Sequence, residues 1–406
     1  MAQDVDVAIW IVIVMSLKEV LGTCAGRTVA ISLSIWLCSQ SYSLLRNPCI
    51  SVTGLQVPDE MLQAGIGGQS VPSQRVPAEE EIIDAAPCGQ LCATCEKFCV
   101  PGNPTFFRML KDCGHVCKVE PQGDNVVRGG GKFYDQYRKK VDCMKIWSSP
   151  YMDVPHDGAH PAALADLPKP LVNLFSYGGR IEIREEYRDN KYYNAKKSQG
   201  KLVTTWTEEM IEDLVSQAKQ HKLNGSYGPT ATACLEAGLD DADLRGQSVL
   251  VVGSQSPWVE AICLAHGAAE VTTLEYASLV STHKRVRVMT PASMAAAAKR
   301  RELPEFDVIV SFSSLEHSGL GRYGDAVNPY GDLITMARVW CLAKPGARLV
   351  IGVPGIRGLK GDGYVSFNEA RHYGTISYPQ LTANWRQDTM HPCSQTVFQL
   401  TKLPAI

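Results

Sequence analysis

From about residue 205 onward, short continuous apolar runs alternate with amphipathic stretches, and this alternation constrains the fold more than any other feature of the chain. Ser248-Val249-Leu250-Val251-Val252, Val271-Thr272-Thr273-Leu274, Phe306 to Phe312 and Arg348 to Val353 read as strands covered on both faces. Between them lie helical spacings over 258–266 and 333–342. Upstream, Thr207 is placed to cap a helix whose Met210, Ile211, Leu214, Val215 and Ala218 share a face, and a shorter helix is expected from Tyr227 to Gly238. Strands alternating with helices imply an α/β fold built on a doubly wound, mostly parallel, Rossmann-like sheet. Trp385 to Thr389 and Thr396 to Thr401 are expected to close it as an antiparallel pair, and Lys344-Pro345-Gly346 to break the helix over 333–342 before the strand at Arg348.

The first half follows other rules. Ten of the 14 cysteines precede residue 150. Cys88, Cys92, Cys95 and Cys99 are spaced to line one stripe of a helix, and Cys113 and Cys117 follow a Pro101-Gly102-Asn103-Pro104 break. A helical hairpin with disulfides Cys95–Cys117 and Cys99–Cys113 accounts for this spacing; zinc held with His115, or reduced thiols, are the alternatives. Residues 7–45 carry only Lys18, Glu19 and Arg27 as charges, which makes them a candidate membrane anchor, although serines dilute the 18 uncharged residues from Thr28 to Leu45. The expected organisation is a hydrophobic N-terminal segment over 1–50, a linker and cysteine-rich helical extension over 51–165, and an α/β domain over 166–406. A membrane-anchored location in the secretory pathway is expected, with the cytoplasm as the alternative. His156 and His160 sit among prolines and read as loop residues, and no metal site is assigned.

With 40 basic against 42 acidic residues the formal charge is -2, which gives no electrostatic reason to expect nucleic acid. In an open parallel sheet ligands gather beyond the carboxyl ends of the strands. Three such ends carry suggestive residues. Gly253-Ser254-Gln255-Ser256-Pro257 follows one strand; Glu275 ends the next, placed to accept both hydroxyls of a ribose; and Ser313-Ser314-Leu315-Glu316-His317-Ser318 follows Phe312. A pyrophosphate-binding loop needs G-x-G-x-x-G, and only one glycine is present, so a dinucleotide is disfavoured.

The runs Val249 to Glu275, Phe306 to Ser311 with Leu315-Glu316-His317, and Leu342 to Ile351 resemble class I S-adenosylmethionine-dependent methyltransferases. More narrowly, Gly253 to Ala261, Ser311 to Asp325 and Asn368 to Gly374 resemble a methyltransferase-like family known as domain of unknown function 268; the likeness covers roughly residues 225–402. The broad class has two further glycines in the loop that this chain lacks. The resemblance implies S-adenosylmethionine as cofactor, with Gly253, Ser254, Gln255, Ser256, Glu275, Tyr276, Ser311 and Ser313 around it. It implies methyl transfer to an oxygen or nitrogen of a small-molecule or glycan acceptor, or else a non-catalytic binding module on the same fold. His317 is the candidate base and Glu316 its orienting partner or a substrate contact. Arg322, Asp325, Arg371 and His372 are candidate pocket residues, and Gly319, Gly321 and Gly324 suggest a movable lid.

Overall fold

The computed structural model describes residues 105–119, 137–150, 163–167, 169–188, 203–323, 325, 327–355 and 361–406, and the backbone of β1 (Ile9–Met15), β2 (Leu33–Ser39) and β3 (Ile50–Val52). The chain divides into two units, Met1–Arg75 and Val76–Ile406. In the first, the three strands form one antiparallel sheet in which Ile9 faces Ser39 and Leu37 faces Ile50. Within 7–45, where a membrane anchor is expected, the described stretches are the strands β1 and β2. Among the described residues no helix is long and apolar enough to cross a membrane. Ile-Trp-Ile-Val-Ile-Val-Met is β-branched and aromatic almost throughout, which favours extended backbone.

The second unit opens with α1 (Thr105–Cys113), a 3-10 turn Gly114–Cys117, α2 (Cys143–Ser148) and α3 (Lys169–Phe175). Then come β4 (Glu182–Glu185), β5 (Thr204–Trp206), α4 (Glu208–Lys219) and α5 (Pro229–Ala242). The alternating part follows as β6 (Ser248–Val252), α6 (Trp258–Ala265), β7 (Glu270–Leu274), β8 (Leu279–Ser281), β9 (Val286–Met289), α7 (Pro291–Lys299), β10 (Phe306–Phe312), α8 (Gly331–Cys341) and β11 (Ala343–Val353). The chain ends through β12 (Gly363–Phe367), β13 (Ala370–Tyr373), α9 (Tyr378–Leu381), β14 (Trp385–His391) and β15 (Thr396–Lys402).

Seven strands make the main sheet in the order β14-β15-β11-β10-β6-β7-β9. Val251 of β6 lies between Thr273 of β7 and Val310 of β10, all parallel, while β15 runs antiparallel to β11 and β14. The expected doubly wound sheet and its closing antiparallel pair are both present. Period-two alternation divides the core. Val249 and Val251 pack with Ile211 and Val215 of α4, Leu235 and Leu239 of α5, and Ile262 of α6. Leu250 and Val252 face the other way, toward Met109 of α1, Ile146 and Trp147 of α2, and Leu333 of α8. Each such side chain contributes about 1.5–3 kcal/mol by leaving water, which is why the central strand tolerates no polar residue after Ser248.

Three local expectations change. Thr207 caps α4 as foreseen, accepting from the Met210 amide at 3.1 Å, but Met210 itself is 44% exposed and leaves the apolar face. α5 does not stop at Gly238; a Cβ there would lie 2.7 Å from Val397, so this glycine serves close packing on the sheet. The helix before Lys344-Pro345-Gly346 ends at Cys341 as expected, but the strand expected from Arg348 begins earlier. β11 starts at Ala343 opposite Phe306, and Arg348 is already opposite Val308, so the three residues form a bulge that Lys344 secures with an ion pair to Asp307 at 2.7 Å.

A second sheet, β13-β12-β4, packs Phe367 edge-on to Phe175 at 5.4 Å, with Leu171, Ile181 and Leu320 in the same cluster. The expected disulfides Cys95–Cys117 and Cys99–Cys113 are corrected: Cys113 is joined to Cys117, with Cα atoms 5.8 Å apart. α1 ends at Cys113, and Gly114, at φ +51°, tightens the chain into the 3-10 turn that brings the two thiols together. Their mutual bond also removes them from any zinc site. Cys88, Cys92, Cys95, Cys99, His156 and His160 lie outside the described residues. Cys143–Cys341 ties α2 to α8 across 198 residues, reinforced by Arg338, whose Nε donates to the Ile146 carbonyl at 3.1 Å. Cys234–Cys393 ties α5 to the turn before β15. Non-reducing peptide mapping of the oxidised protein is expected to recover Cys113–Cys117, Cys143–Cys341 and Cys234–Cys393; a Cys99–Cys113 or Cys95–Cys117 peptide would contradict this arrangement.

Candidate functional site

The strand order reverses between β6 and β10, so the carboxyl ends of these two strands border the crevice in which such sheets bind ligands. The loops leaving them touch. Gly253 has φ +75°, and a Cβ on it would collide with the Ser314 hydroxyl and lie 2.7 Å from the Ser314 Cβ. The next amide, Ser254 N, donates to Glu275 Oε2 at 2.9 Å, and Ala277 N donates to Glu275 Oε1 at 3.0 Å. Both oxygens of the carboxylate at the end of β7 are thus oriented by main-chain donors beside the Gly253 turn.

Glu260, in the first turn of α6, lies beneath this loop and is fully buried. It accepts from Thr273 Oγ1 at 2.7 Å and lies 3.1 Å from Ser254 Oγ. Burial pushes its pKa up to about 7, against the effect of these hydrogen bonds. Ser254 therefore turns its side chain into the protein, whereas Gln255 and Ser256 are exposed. Tyr276 is 61% exposed beside Glu275.

The loop after β10 holds the other half. Ser311 is buried and donates its hydroxyl to the Val252 carbonyl at 3.1 Å, so it ties β10 to β6 from within the sheet. Phe312 packs against Trp258 and Tyr227, with ring centroids 5.3 and 5.5 Å away. Ser313 adopts φ +50°, a left-handed conformation that turns the chain sharply. Its hydroxyl donates to Glu316 Oε1 at 2.7 Å and receives Gln395 Nε2 at 3.2 Å. Glu316 is fully buried, burial raises its pKa to about 7, and its Oε2 makes no hydrogen bond within the chain.

His317 Nδ1 lies 2.6 Å from the Glu369 carbonyl oxygen. A carbonyl only accepts, so Nδ1 carries the proton and Nε2 is the acceptor. Burial lowers the imidazole pKa to about 4, with Arg322 and Arg371 adding to the effect. The ring is therefore neutral at pH 7, in the tautomer a base needs. Glu316 does not orient it: Nε2 is 3.8 Å from Glu316 Oε1, and the main chain at Glu369 sets the ring instead.

The glycine-containing loop is pinned. Asp325 accepts from the amides of Gly319 at 2.6 Å and of Gly321 and Tyr323 at 3.3 Å each. Arg371, 3% exposed, donates to the Ser318 carbonyl and to that of Asn328 at 3.2 Å, and its Nε lies 3.6 Å from Asp332. Tyr373 completes this buried cluster with a hydrogen bond to Asp332 at 3.0 Å. Arg371 is an anchor for the loop and not a pocket wall. Arg322 does not pair with Asp325; it lies over the Tyr323 ring at 5.0 Å and reaches the same Glu369 carbonyl as His317. His372 stacks on Tyr364 at 4.1 Å, on the second sheet.

Glu260, Tyr227 and Gln395 enter the site without having been singled out. Glu260 had a signal, a lone charge in the apolar run Trp258 to Ala265. Gln395 had none, since only the tertiary fold brings it to Ser313. An open depression of about 440 Å³ lies at the opposite edge of the sheet, among Ser248, Glu270, Arg287, Asp307 and Lys344. Its charges are spent on each other, Arg287 with Glu270 at 3.1 Å and Lys344 with Asp307 at 2.7 Å, and it borders the starts of strands and not their ends. Among the described residues no group of three potential ligands is arranged to hold a metal.

Solved structures similar to this chain include an S-adenosylmethionine-dependent methyltransferase assigned as such in Listeria monocytogenes, 14% identical, covering 43% of this chain and 100% of that one at a TM-score of 0.29. They also include the 1,6-didemethyltoxoflavin-N1-methyltransferase of Burkholderia thailandensis, 16% identical, covering 62% of this chain and 95% of that one at a TM-score of 0.30. A curated relative, pre-mRNA-splicing factor syf1 of Aspergillus fumigatus, is 30% identical over 132 residues; the match spans 32% of this chain and 14% of that protein's length. Residues 246–400, from the turn before β6 into β15, match the family described as Caenorhabditis protein of unknown function, DUF268.

Proposed function

We propose that the second unit binds S-adenosylmethionine across the Gly253–Ser256 loop and Glu275, and transfers its methyl group to an oxygen or nitrogen of an acceptor beside His317 and Glu316. The observation that carries this reading is the close approach of Gly253 to Ser314, because it joins the loop whose Ser254 amide orients the Glu275 carboxylate to the loop that carries His317. The donor set suits an adenosyl group. A carboxylate has about four lone-pair sites, and one held by main-chain amides meets ribose hydroxyls without first losing side-chain entropy. The missing glycines are offset by the inward turn of Ser254 onto Glu260 and the outward placement of Gln255 and Ser256.

When bound, S-adenosylmethionine supplies a sulfonium methyl carbon as the electrophile. The chain supplies position. His317 Nε2 accepts the hydrogen bond of the acceptor's O–H or N–H, which aims its lone pair, and takes the proton as the new bond forms. With a pKa near 4 the imidazole is a weak base but is never lost to protonation at neutral pH. Glu316 holds Ser313 in its left-handed turn and so sets where the loop ends. Three disulfides favour maturation in an oxidising compartment over a cytoplasmic one.

Two variants separate cofactor binding from chemistry. Glu275→Gln removes the charge and one acceptor and is expected to weaken S-adenosylmethionine about tenfold to a hundredfold by calorimetry. His317→Ala is expected to bind it as the parent does and to lose about a hundredfold in turnover. A parent with no measurable affinity for S-adenosylmethionine would overturn the reading and favour a non-catalytic module.

Glu316 gives a pH test. Its pKa in the fold lies above the 4.5 of an exposed glutamate, so the stability this difference confers is complete below about pH 4.5 and is lost as pH rises through about 7. Glu316→Gln cannot ionise. Between pH 5 and pH 8 the parent is expected to lose roughly 1–3 kcal/mol relative to the variant in denaturant titrations. A constant difference over that range would show that the carboxyl is not held protonated by burial.

A further inference from the structure

Three side chains at the mouth of the β10 loop carry a buried polar atom with no hydrogen bond inside the chain: Glu316 Oε2, Gln395 Oε1 and Arg322 Nε. They are connected. Gln395 and Glu316 both bond Ser313, and Arg322 shares the Glu369 carbonyl with His317. A buried polar atom left unmet costs about 1–3 kcal/mol, so three in one cluster call for partners from outside the chain. Aromatic faces lie alongside: Tyr227, 46% exposed, packs its ring on Phe312, and Tyr323 sets its ring edge-on to His317 at 5.5 Å.

From this juxtaposition we infer that the acceptor is an uncharged sugar, bound with its hydroxyls on Glu316, Gln395 and Arg322 and its apolar ring face on Tyr227. The inference rests on the methyl-transfer reading for the sugar's role as acceptor. The unmet set mixes acceptors with a donor, and a hydroxyl serves both. Arg322 is the cation of the cluster, and Glu316, which burial keeps near neutrality, offsets its charge only in part. An anionic acceptor would set further lone pairs against Gln395 Oε1 and Glu316 Oε2. A cation would be repelled by Arg322 and by Arg371 behind the loop. Sugars combine edge hydroxyls with C–H faces that lie on aromatic rings, which matches polar atoms flanked by two tyrosines. Gln395 is half-buried and Tyr227 more exposed, and both reach the site from the surface.

The test uses the full oxidised chain and saturation-transfer NMR with five probes: the methyl glycosides of glucose, galactose and mannose, benzoate as an anion and putrescine as a cation. At least one glycoside is expected to be saturated, with its signal reduced about fivefold in Gln395→Ala, the loss of one hydrogen bond, and abolished in Tyr227→Ala. Melting temperatures confirm that both variants fold. No saturation of any glycoside, which leaves the polar atoms to water alone, would overturn the inference. So would a glycoside signal that is unchanged in Gln395→Ala, or saturation of benzoate or putrescine that is lost in that variant. Calorimetry with S-adenosylmethionine separates the two readings: cofactor binding without glycoside binding defeats the sugar site alone, and glycoside binding without cofactor defeats methyl transfer and leaves a sugar-binding module.

Discussion

The close approach of Gly253 to Ser314 is the constraint on which the site depends. Two loops leave adjacent strands at the point where the strand order reverses, and a single missing Cβ lets them meet. From that contact outward, each loop is held by a different buried carboxyl group. Glu260 lies under the β6 loop and bonds Thr273 of the neighbouring strand; Glu316 lies under the β10 loop and bonds Ser313. Both are fully buried beside a core built of aliphatic and aromatic side chains.

Burying two acids costs stability, and the fold limits the cost by keeping each near neutrality and surrounding it with hydroxyl donors. Buried groups of this kind gather where function requires them more often than where packing alone would. The imidazole of His317, next to Glu316 in the chain, is treated in the opposite way. Burial makes His317 hard to protonate, and a main-chain carbonyl, which cannot titrate, fixes its tautomer. The loop that follows His317 is pinned, because Asp325 takes up its amides and Arg371, backed by Asp332, takes up its carbonyls.

The sheet was legible in the sequence because continuous apolar runs such as Val249 to Val252 and Phe306 to Phe312 have few other uses in a globular chain. The ends of its strands were legible for the same reason, and with them Gly253, Glu275 and His317. What escaped were features set by contacts distant in sequence. Gln395 reaches Ser313 only because β15 inserts antiparallel beside β11. β4 finds β12 across the whole main sheet, pairing Ile183 with Val365, and four short residues carry no pattern that foretells it. Cys113 has two partners at plausible spacing, and the choice turned on where α1 stops, which Gly114 decides. Gly238 and Lys344-Pro345-Gly346 carry breaker residues, yet their tertiary partners Val397 and Asp307 keep the elements going.

A double-mutant cycle at the loop contact tests the central claim most directly. Gly253→Ala is expected to destabilise the chain both by its positive φ and by collision with the Ser314 side chain. Ser314→Gly removes the second cause and leaves the first. Denaturant titration of the parent, the two single variants and the pair should give a coupling free energy above about 1 kcal/mol, with the glycine at 314 rescuing part of the loss. Additivity to within about 0.5 kcal/mol would mean that the two loops do not touch, and that the crevice is not built as described here.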